Sequence, residues 1–521
     1  MDSLSRRSVI AGASALGAAM AFNLSTLPVL AQDGSKTLRL PLLRGSGNLD
    51  PQRYVGIFAV QDMIFDPLVQ YGPGGKIEPS LADSWDVTPD DISITFHLRP
   101  GVSFTDGVPW DATSMVWNLN RWLPNEEYRW LQVAANYKSI EVIDEMTVAL
   151  HFTKPTPTAL TELGYVRPVR FLSPNAVDET GLYKTPIGTG PWIVEREGPS
   201  GTDLVPNRNY WGPKPELDRV SLVVIPDGMS RISSIIGGEI DAIGGKFIAP
   251  ISPQEASTLN RNGVTVVTET GTDTMVLGFN PRREQFKDIR LREAFNLLID
   301  REGIAKVVMK DYAQPTMNLY PEVIPYSGTR HPVPSRDVER AKALLEEAGW
   351  TGEGTRNKDG MPLNVELVIS EDAVAGSRAL GEVLQAGFLE AGIGLTLRNV
   401  DHAARHGDIP EFKYDLSLFV TNGAPYDPYN TLGLMFLSSV EPGTDGKIYE
   451  DEDLDALIQA ALGAREGERP AAFQAVSDWL YDNWAIAPLF HGDRIWAHSS
   501  RIKSFTIPAT EYEMPLKSLS L

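Results

Sequence analysis

Runs of strand length alternate with amphipathic stretches of helix length along this chain, and that alternation confines it to a layered α/β architecture. Val220 to Ile225 is a continuous apolar run of the kind that fills a buried strand. Ser230 to Ile236 follows as a helix, Gly237-Gly238 stops it, and Ile240 to Ile243 resumes as strand, which makes a strand-helix-strand unit. A second α/β region reads as a strand at Val365 to Ile369, a helix over 376–391 and a strand at Leu395 to Val400. Ile94, Phe96 and Leu98 alternate along one half-buried strand, Val148, Leu150 and Phe152 along another, and Ala112 to Trp122 between them is helical. Leu291, Ala294, Phe295 and Leu298 have helical spacing. Ser335 is placed to cap a further helix carrying Val338, Ala341, Leu344, Leu345 and Ala348, which Gly349 ends. With no short repeat and no low-complexity linker, a solenoid or a string of small modules is not expected.

A chain of 521 residues with 42% hydrophobic content has ample material for a large core, whether as two or three ordinary domains or as one two-lobed fold. The formal net charge of −21 argues against nucleic acid as a partner, because phosphate binding needs clustered Lys and Arg. There is no cysteine. Disulfides, thiolate metal sites and a cysteine nucleophile are thereby excluded, as is a lipid carried on an N-terminal Cys.

Arg6-Arg7 precede an apolar, small-residue stretch from Val9 to Phe22, and Val29-Leu30-Ala31 offers small residues to a signal peptidase. The pattern reads as a twin-arginine (Tat) export signal over residues 1–31, with the mature protein starting at Gln32. A membrane span is the competing reading, but the continuous apolar run falls short of the roughly 20 residues a span requires. A periplasmic location without a lipid anchor is therefore expected.

Several segments, in order along the chain, resemble one family. They are Leu81-Ala82-Asp83-Ser84-Trp85; Leu98-Arg99-Pro100-Gly101-Val102 running on through Ser103-Phe104-Thr105-Asp106-Gly107; Gly188-Thr189-Gly190-Pro191-Trp192; Gly237-Gly238-Glu239-Ile240-Asp241; Phe279-Asn280 with Phe286-Lys287-Asp288-Ile289-Arg290; and Glu339 to Trp350. Together they are similar to the bacterial extracellular solute-binding proteins of family 5, the dipeptide, oligopeptide and nickel-chelate group of ABC importers. The resemblance implies a two-lobed periplasmic binding protein fold of type II, similar to the large cluster C members, with an extra subdomain in the first lobe and a hinge between lobes. On that basis the first lobe covers 32–270 with its subdomain over about 66–187, the second lobe 271–490, and the chain returns to the first lobe over 491–521.

Within the family the likeness is greatest to binders of nickel chelates and opine-type metallophores. Tyr128-Arg129-Trp130-Leu131 and Val166-Arg167-Pro168 look like the segments that supply a pocket tryptophan and arginine, Gly423-Ala424-Pro425-Tyr426-Asp427-Pro428 like a second-lobe loop, and Ala509-Thr510-Glu511 like the C-terminal return. The resemblance thus implies Arg167, Trp130, Tyr426 and Thr510 as ligand-binding residues, with Tyr54 as a further match near the N-terminus.

Arg167 suits a ligand carboxylate, since a guanidinium stays charged when water is excluded; pairing with a structural Asp or Glu is the competing reading. Trp130 offers a flat apolar face or is plain core. Asp427 either pairs with a peptide's terminal ammonium, as the family's peptide binders imply, or is a turn residue before Pro428. Position 422 is Asn where the nickel-chelate proteins have a second tryptophan, and the loop after Tyr426 has no His. Any metal is therefore expected to arrive within a chelator, with no resident cofactor. Among histidines, His402 and His406 would share a helical face, and His491 near the return crossing is a candidate for lining the cleft.

Ser500-Arg501-Ile502-Lys503 fits a serine-nucleophile pattern, but the accompanying Ser-Asp-Asn and Lys-Thr-Gly are missing, and the mature chain has no Walker loop, G-x-G-x-x-G, H-E-x-x-H or G-x-S-x-G. The acidic run Glu450 to Asp453 marks a helix start. No enzyme is expected. The partners implied are a small-molecule ligand, a metal chelate or else a peptide, and the inner-membrane ABC permease subunits, with the protein itself a monomer.

Overall fold

The computed structural model describes residues 36–443, 446–517 and 519–521, so the twin arginines, the apolar stretch to Phe22, Val29-Leu30-Ala31 and Gln32 lie outside the described residues. No helix among the described residues is long and apolar enough to cross a membrane.

The first lobe is built on a four-stranded sheet in the order Thr37–Leu42, Arg219–Val224, Gly201–Pro206, Trp192–Gly198. Its first pair is parallel and the others antiparallel. Val220 and Leu222 point inward between half-buried neighbours, so the run expected to be buried on both faces is buried on one. The helix Gly228–Ile236 follows, its N-terminal amides capped by Asp227. The next strand, Ala242–Gly244, does not complete a strand-helix-strand unit with Arg219–Val224: it pairs with Ile486–His498 from the chain's end.

An antiparallel four-stranded sheet forms the subdomain, in the order Ala82–Val87, Ser93–Leu98, Thr147–Phe152, Tyr137–Asp144. Ile94 faces Leu150 and Phe96 faces Val148 across the ladder, and this apolar face packs on Met115, Leu119 and Trp122 of the helix Ala112–Trp122. Asp111 and Ser114 close a capping box at that helix's start, each side chain accepting from the other's backbone N–H.

In the second lobe the strands Leu416–Val420 and Ile486–His498 flank Met275–Phe279 antiparallel, while Asn364–Ile369 runs parallel to both Gly394–Asn399 and Leu416–Val420. The helices Ile289–Leu298, Val338–Glu347 and Ser377–Leu389 share one apolar cluster, with Phe295 and Phe388 in edge contact at 4.8 Å. The helix expected to start at Ser335 starts two residues later. Asp337 caps it by accepting from Arg340 N–H at 2.9 Å, and a carboxylate at a helix N-terminus gains from the helix dipole as well as from the hydrogen bond.

One strand ties the lobes together. Ile486 to Phe490 pair with Met275–Phe279, and Asp493 to His498 pair with Thr265–Thr270. The two chain crossings meet where Gly271 N–H donates to Gly492 O at 2.8 Å; a Cβ on Gly271 would come within 2.2 Å of that oxygen, so only glycine fits. A second tether lies elsewhere. The hairpin of Val69–Tyr71 and Ile77–Pro79 places Tyr71 and Ile77 in the second-lobe cluster of Val276, Tyr320 and Tyr326, and its tip packs Gly75 under Pro325. Arg469 adds a hydrogen bond to Pro157 O at 3.1 Å.

Candidate ligand-binding site

Three stretches that are far apart in sequence converge on Arg167, and they carry Phe58, Tyr426 and Tyr512. The first is the loop 44–57, which the Gln61 amide holds in shape by donating to Asp50 O at 2.9 Å and Val55 O at 3.2 Å. Tyr128 OH donates to Gln52 O at 2.6 Å and fastens the loop to the subdomain. Gly56 sits at φ +72, where a Cβ would strike Asn48 O, so the loop can fold back on itself only with glycine there. Phe58 then opens the helix Phe58–Ile64.

Arg167 is only 4% exposed and flanked by buried Val166 and Val169. Its guanidinium carbon lies 3.4 Å from the centre of the Phe58 ring. One terminal nitrogen donates to Gly56 O at 3.4 Å, and Nε has no partner. Among the described residues no Asp or Glu forms an ion pair with it, so the structural-pairing alternative does not describe this arginine. Burial lowers its pKa to about 10, with the nearby Arg44 pushing the same way, which leaves it protonated at neutral pH.

Trp130 donates its indole N–H to Tyr54 OH at 2.7 Å and lies nearly parallel to Tyr165 at 6.4 Å. From the second lobe, Tyr426 reaches across to Trp130 at 6.3 Å, to Tyr165 at 4.4 Å and to Tyr512 at 5.2 Å. Tyr512 meets Phe58 edge-on at 4.9 Å and stacks with Phe247 at 5.0 Å. The result is an aromatic cluster beside the buried Arg167, with its rings in mutual contact across the lobes. Burial pushes the Tyr426 phenol up to about 12, so it is a neutral donor at pH 7.

Asp427 and Thr510 occupy positioning roles in the same neighbourhood. The Asp427 carboxylate accepts Gly423 N–H at 2.7 Å and Thr431 N–H at 3.1 Å, which locks the loop that presents Tyr426. Burial raises its pKa to about 7 against the pull of those donors. Thr510 donates to Glu513 at 3.0 Å and accepts from Tyr512 N–H at 3.3 Å, so its hydroxyl fixes the turn that aims Tyr512. A cavity of about 710 Å³ between the subdomain and the second lobe is lined by Asp427, Tyr71, Trp85, Tyr429 and Arg469 among others, and by none of Arg167, Trp130 and Tyr426.

The histidines are not in the crevice cluster. His491 lies beside the crossing, buried, with Nδ1 2.9 Å from Thr274 Oγ1, and burial lowers its pKa to about 4. His402 and His406 do share a face of the helix His402–Asp408, their rings 4.0 Å apart, following the edge strand Gly394–Asn399. Among the described residues no group of three or more His, Asp or Glu is arranged to hold a metal. Sequence reasoning missed Arg44, Phe58, Tyr165, Phe247 and Tyr512. Two of these had a usable signal, since Tyr165 and Tyr512 each stand two residues from a position the resemblance had marked.

The sequence model of the bacterial extracellular solute-binding proteins, family 5, matches residues 76–442. This chain belongs to that family. The solute-binding protein is 29% identical over 461 residues to the nickel-binding periplasmic protein of Escherichia coli K12, covering 85% of this chain and 86% of that protein. A solved ABC transporter substrate-binding protein from Sinorhizobium meliloti is 44% identical, with a TM-score of 0.85 over 93% of this chain and 99% of that one. NikA from Brucella suis, solved in complex with Fe(III)-EDTA, is 28% identical with a TM-score of 0.86 over the same shares of the two chains. These neighbours are two-lobed α/β binding proteins, and the sheets, crossing strand and subdomain described above are that architecture.

Proposed function

We propose that this solute-binding protein is the periplasmic capture component of an ABC importer, and that its crevice takes a small carboxylate-bearing molecule, a metal chelate above all, for delivery to the membrane permease without chemical conversion. One observation carries the reading: Arg167 is almost wholly buried against the Phe58 ring, and among the described residues its guanidinium makes one hydrogen bond, a long one. A buried guanidinium left this poorly satisfied is costly in the empty protein and is relieved by a carboxylate making two charge-assisted bonds. Trp130, Tyr54, Tyr165 and Tyr426 supply apolar faces for the chelate's carbon skeleton and hydroxyls for its polar rim. The nickel-binding relative and the Fe(III)-EDTA complex of the Brucella neighbour are consistent with a ligand of this chemistry.

The metal travels inside its chelator, and the protein works as a monomer. The chain divides into a first lobe over 32–270, a second over 271–490 and a return over 491–521, and closure follows because the ligand touches both. Residues 1–31 serve as the twin-arginine export signal, and with no cysteine in the sequence no lipid is attached through one. A peptide is the competing solute. Its terminal ammonium would pair with Asp427, whose carboxylate accepts one backbone N–H on each oxygen and lines the cavity between the subdomain and the second lobe.

Native mass spectrometry of the protein as isolated from periplasm tests the reading. A one-to-one complex whose added mass carries a metal isotope pattern is expected; a peptide mass, or release of a chemically altered compound, would overturn it.

A further inference from the structure

Arg167 is not the only unpaired guanidinium at the crevice. Arg44, at the start of the loop 44–57, donates from Nη2 to Gly56 O at 3.2 Å, and Arg167 donates from Nη2 to the same oxygen at 3.4 Å. Among the described residues neither arginine forms an ion pair with any Asp or Glu. One neutral carbonyl thus bridges two like charges, an arrangement that is repulsive unless an anion completes it. Several other buried arginines are better satisfied, by a carboxylate or, as at Arg292 and Arg301, by several acceptors at once. Arg170, also in the first lobe, is held by Asp62 at 2.9 Å, and Arg356 by Glu346 at 3.2 Å together with two carbonyls. In a protein whose formal charge is −21, a pair of arginines without a carboxylate is not for want of acidic residues.

We propose that Arg44 and Arg167 form a two-point anion clamp, so that the ligand carries at least two separate negatively charged groups, as a polycarboxylate does, free or wrapped around a metal ion. This rests on the reading of the crevice as an anion site and narrows it. Arg167, buried over Phe58, takes one carboxylate away from water and fixes orientation. Arg44 is exposed at the rim, where it takes the second carboxylate in contact with solvent and draws the anion in. A monocarboxylate satisfies one arginine and leaves the pair's repulsion in place, so it binds weakly. Gly56 is the pivot of the arrangement: its positive φ turns its carbonyl between the two guanidinium groups, and no other residue fits that backbone.

The test is calorimetric titration of the full mature chain with Fe(III)-EDTA, Ni(II)-citrate, citrate and acetate, in wild type and in Arg44→Ala, Arg44→Lys, Arg167→Ala and Arg53→Ala. Arg53, exposed on the same loop, controls for loss of one positive charge. Arg44→Ala is expected to weaken the polycarboxylates about tenfold, more at low ionic strength than at high, whereas Arg44→Lys stays within about threefold and Arg53→Ala is unchanged. Arg167→Ala weakens them about a hundredfold or more, and acetate binds poorly to every variant. The melting temperature of unliganded Arg44→Ala should match wild type, which separates anion binding from simply holding the loop. Polycarboxylate binding that survives Arg44→Ala, or falls equally in Arg53→Ala, overturns the clamp and leaves the chelate reading standing. A wild type that binds none of the polycarboxylates overturns both.

Discussion

Two interiors of this molecule bury arginines, and they treat them in opposite ways. In the second lobe, Arg301 is 2% exposed and fully engaged: Nε donates to Pro488 O at 2.7 Å, and the two terminal nitrogens donate to Asn296 O at 3.1 Å and Asn296 Oδ1 at 2.7 Å. Arg292 nearby is spread over the carbonyls of Phe286, Lys287 and Asn483. In the crevice, Arg167 is as deeply buried with one long bond and an orphaned Nε. Both lose proton affinity through burial, Arg301 to about 9 and Arg167 to about 10. Burial therefore does not tell a structural arginine from a ligand-ready one; the count of satisfied donors does.

Removing each arginine is the sharpest way to break that contrast. Arg301→Met strands three buried acceptors and should lower unfolding stability by about 3 kcal/mol or more, with little change in solute affinity for the fraction that folds. Arg167→Ala should do the reverse, weakening solute binding by about 2 to 5 kcal/mol while unliganded stability moves by less than about 1 kcal/mol. Denaturant titration alongside calorimetry reads both quantities. Equal losses of stability in the two variants would erase the distinction.

Smaller effects sharpen it. Trp130→Ala removes a face of the crevice and frees Tyr54 OH, and should cost about 1 to 2 kcal/mol of binding. Tyr426→Phe keeps the ring that spans the lobes and deletes only its hydroxyl, for about 1 kcal/mol; no loss at all would mean that the ring alone is used. The smallest effect is one of pH. His491 is held neutral, its pKa lowered from 6.5 to about 4 chiefly by burial, with Asp273 opposing and Arg330 reinforcing. The unfolded chain takes up its proton near pH 6.5 and the native protein does not until about 4, so this contribution is complete above pH 6.5 and lost as pH falls to about 4. His491→Gln should flatten the melting-temperature profile in that window, and an unchanged slope would show that other groups govern it.

Local patterns were readable in the sequence wherever one short segment carries its own reason. Ile94, Phe96 and Leu98 alternate because one face of their strand is buried, and Ala112 to Trp122 form a helix that its own residues cap. The helix expected from Ser335 shows the limit: Asp337 is an equally good cap, and only the surrounding structure chooses between them. Ala242–Gly244 pairs with the chain's last long strand, and no local pattern announces a partner so distant. The site divides the same way. Trp130, Arg167, Tyr426 and Tyr54 stood in segments that the family likeness had marked, and the fold brings them together. Arg44 and Phe58 stood in a stretch with no periodicity and no motif, and their place beside Arg167 comes from a loop that folds back at Gly56. Asp427 and Thr510, marked by the same likeness, stand beside Tyr426 and Tyr512, where each also hydrogen-bonds the turn that carries its neighbour.

The hairpin that carries Tyr71 has a kinetic consequence. Any separation of the lobes has to draw Tyr71 and Ile77 out of the second-lobe cluster and Arg469 off Pro157, so the entrance opens only as often as that dock lets go. Weakening that dock, as Tyr71→Ala would, should therefore raise the frequency of opening and with it the rate at which solute enters.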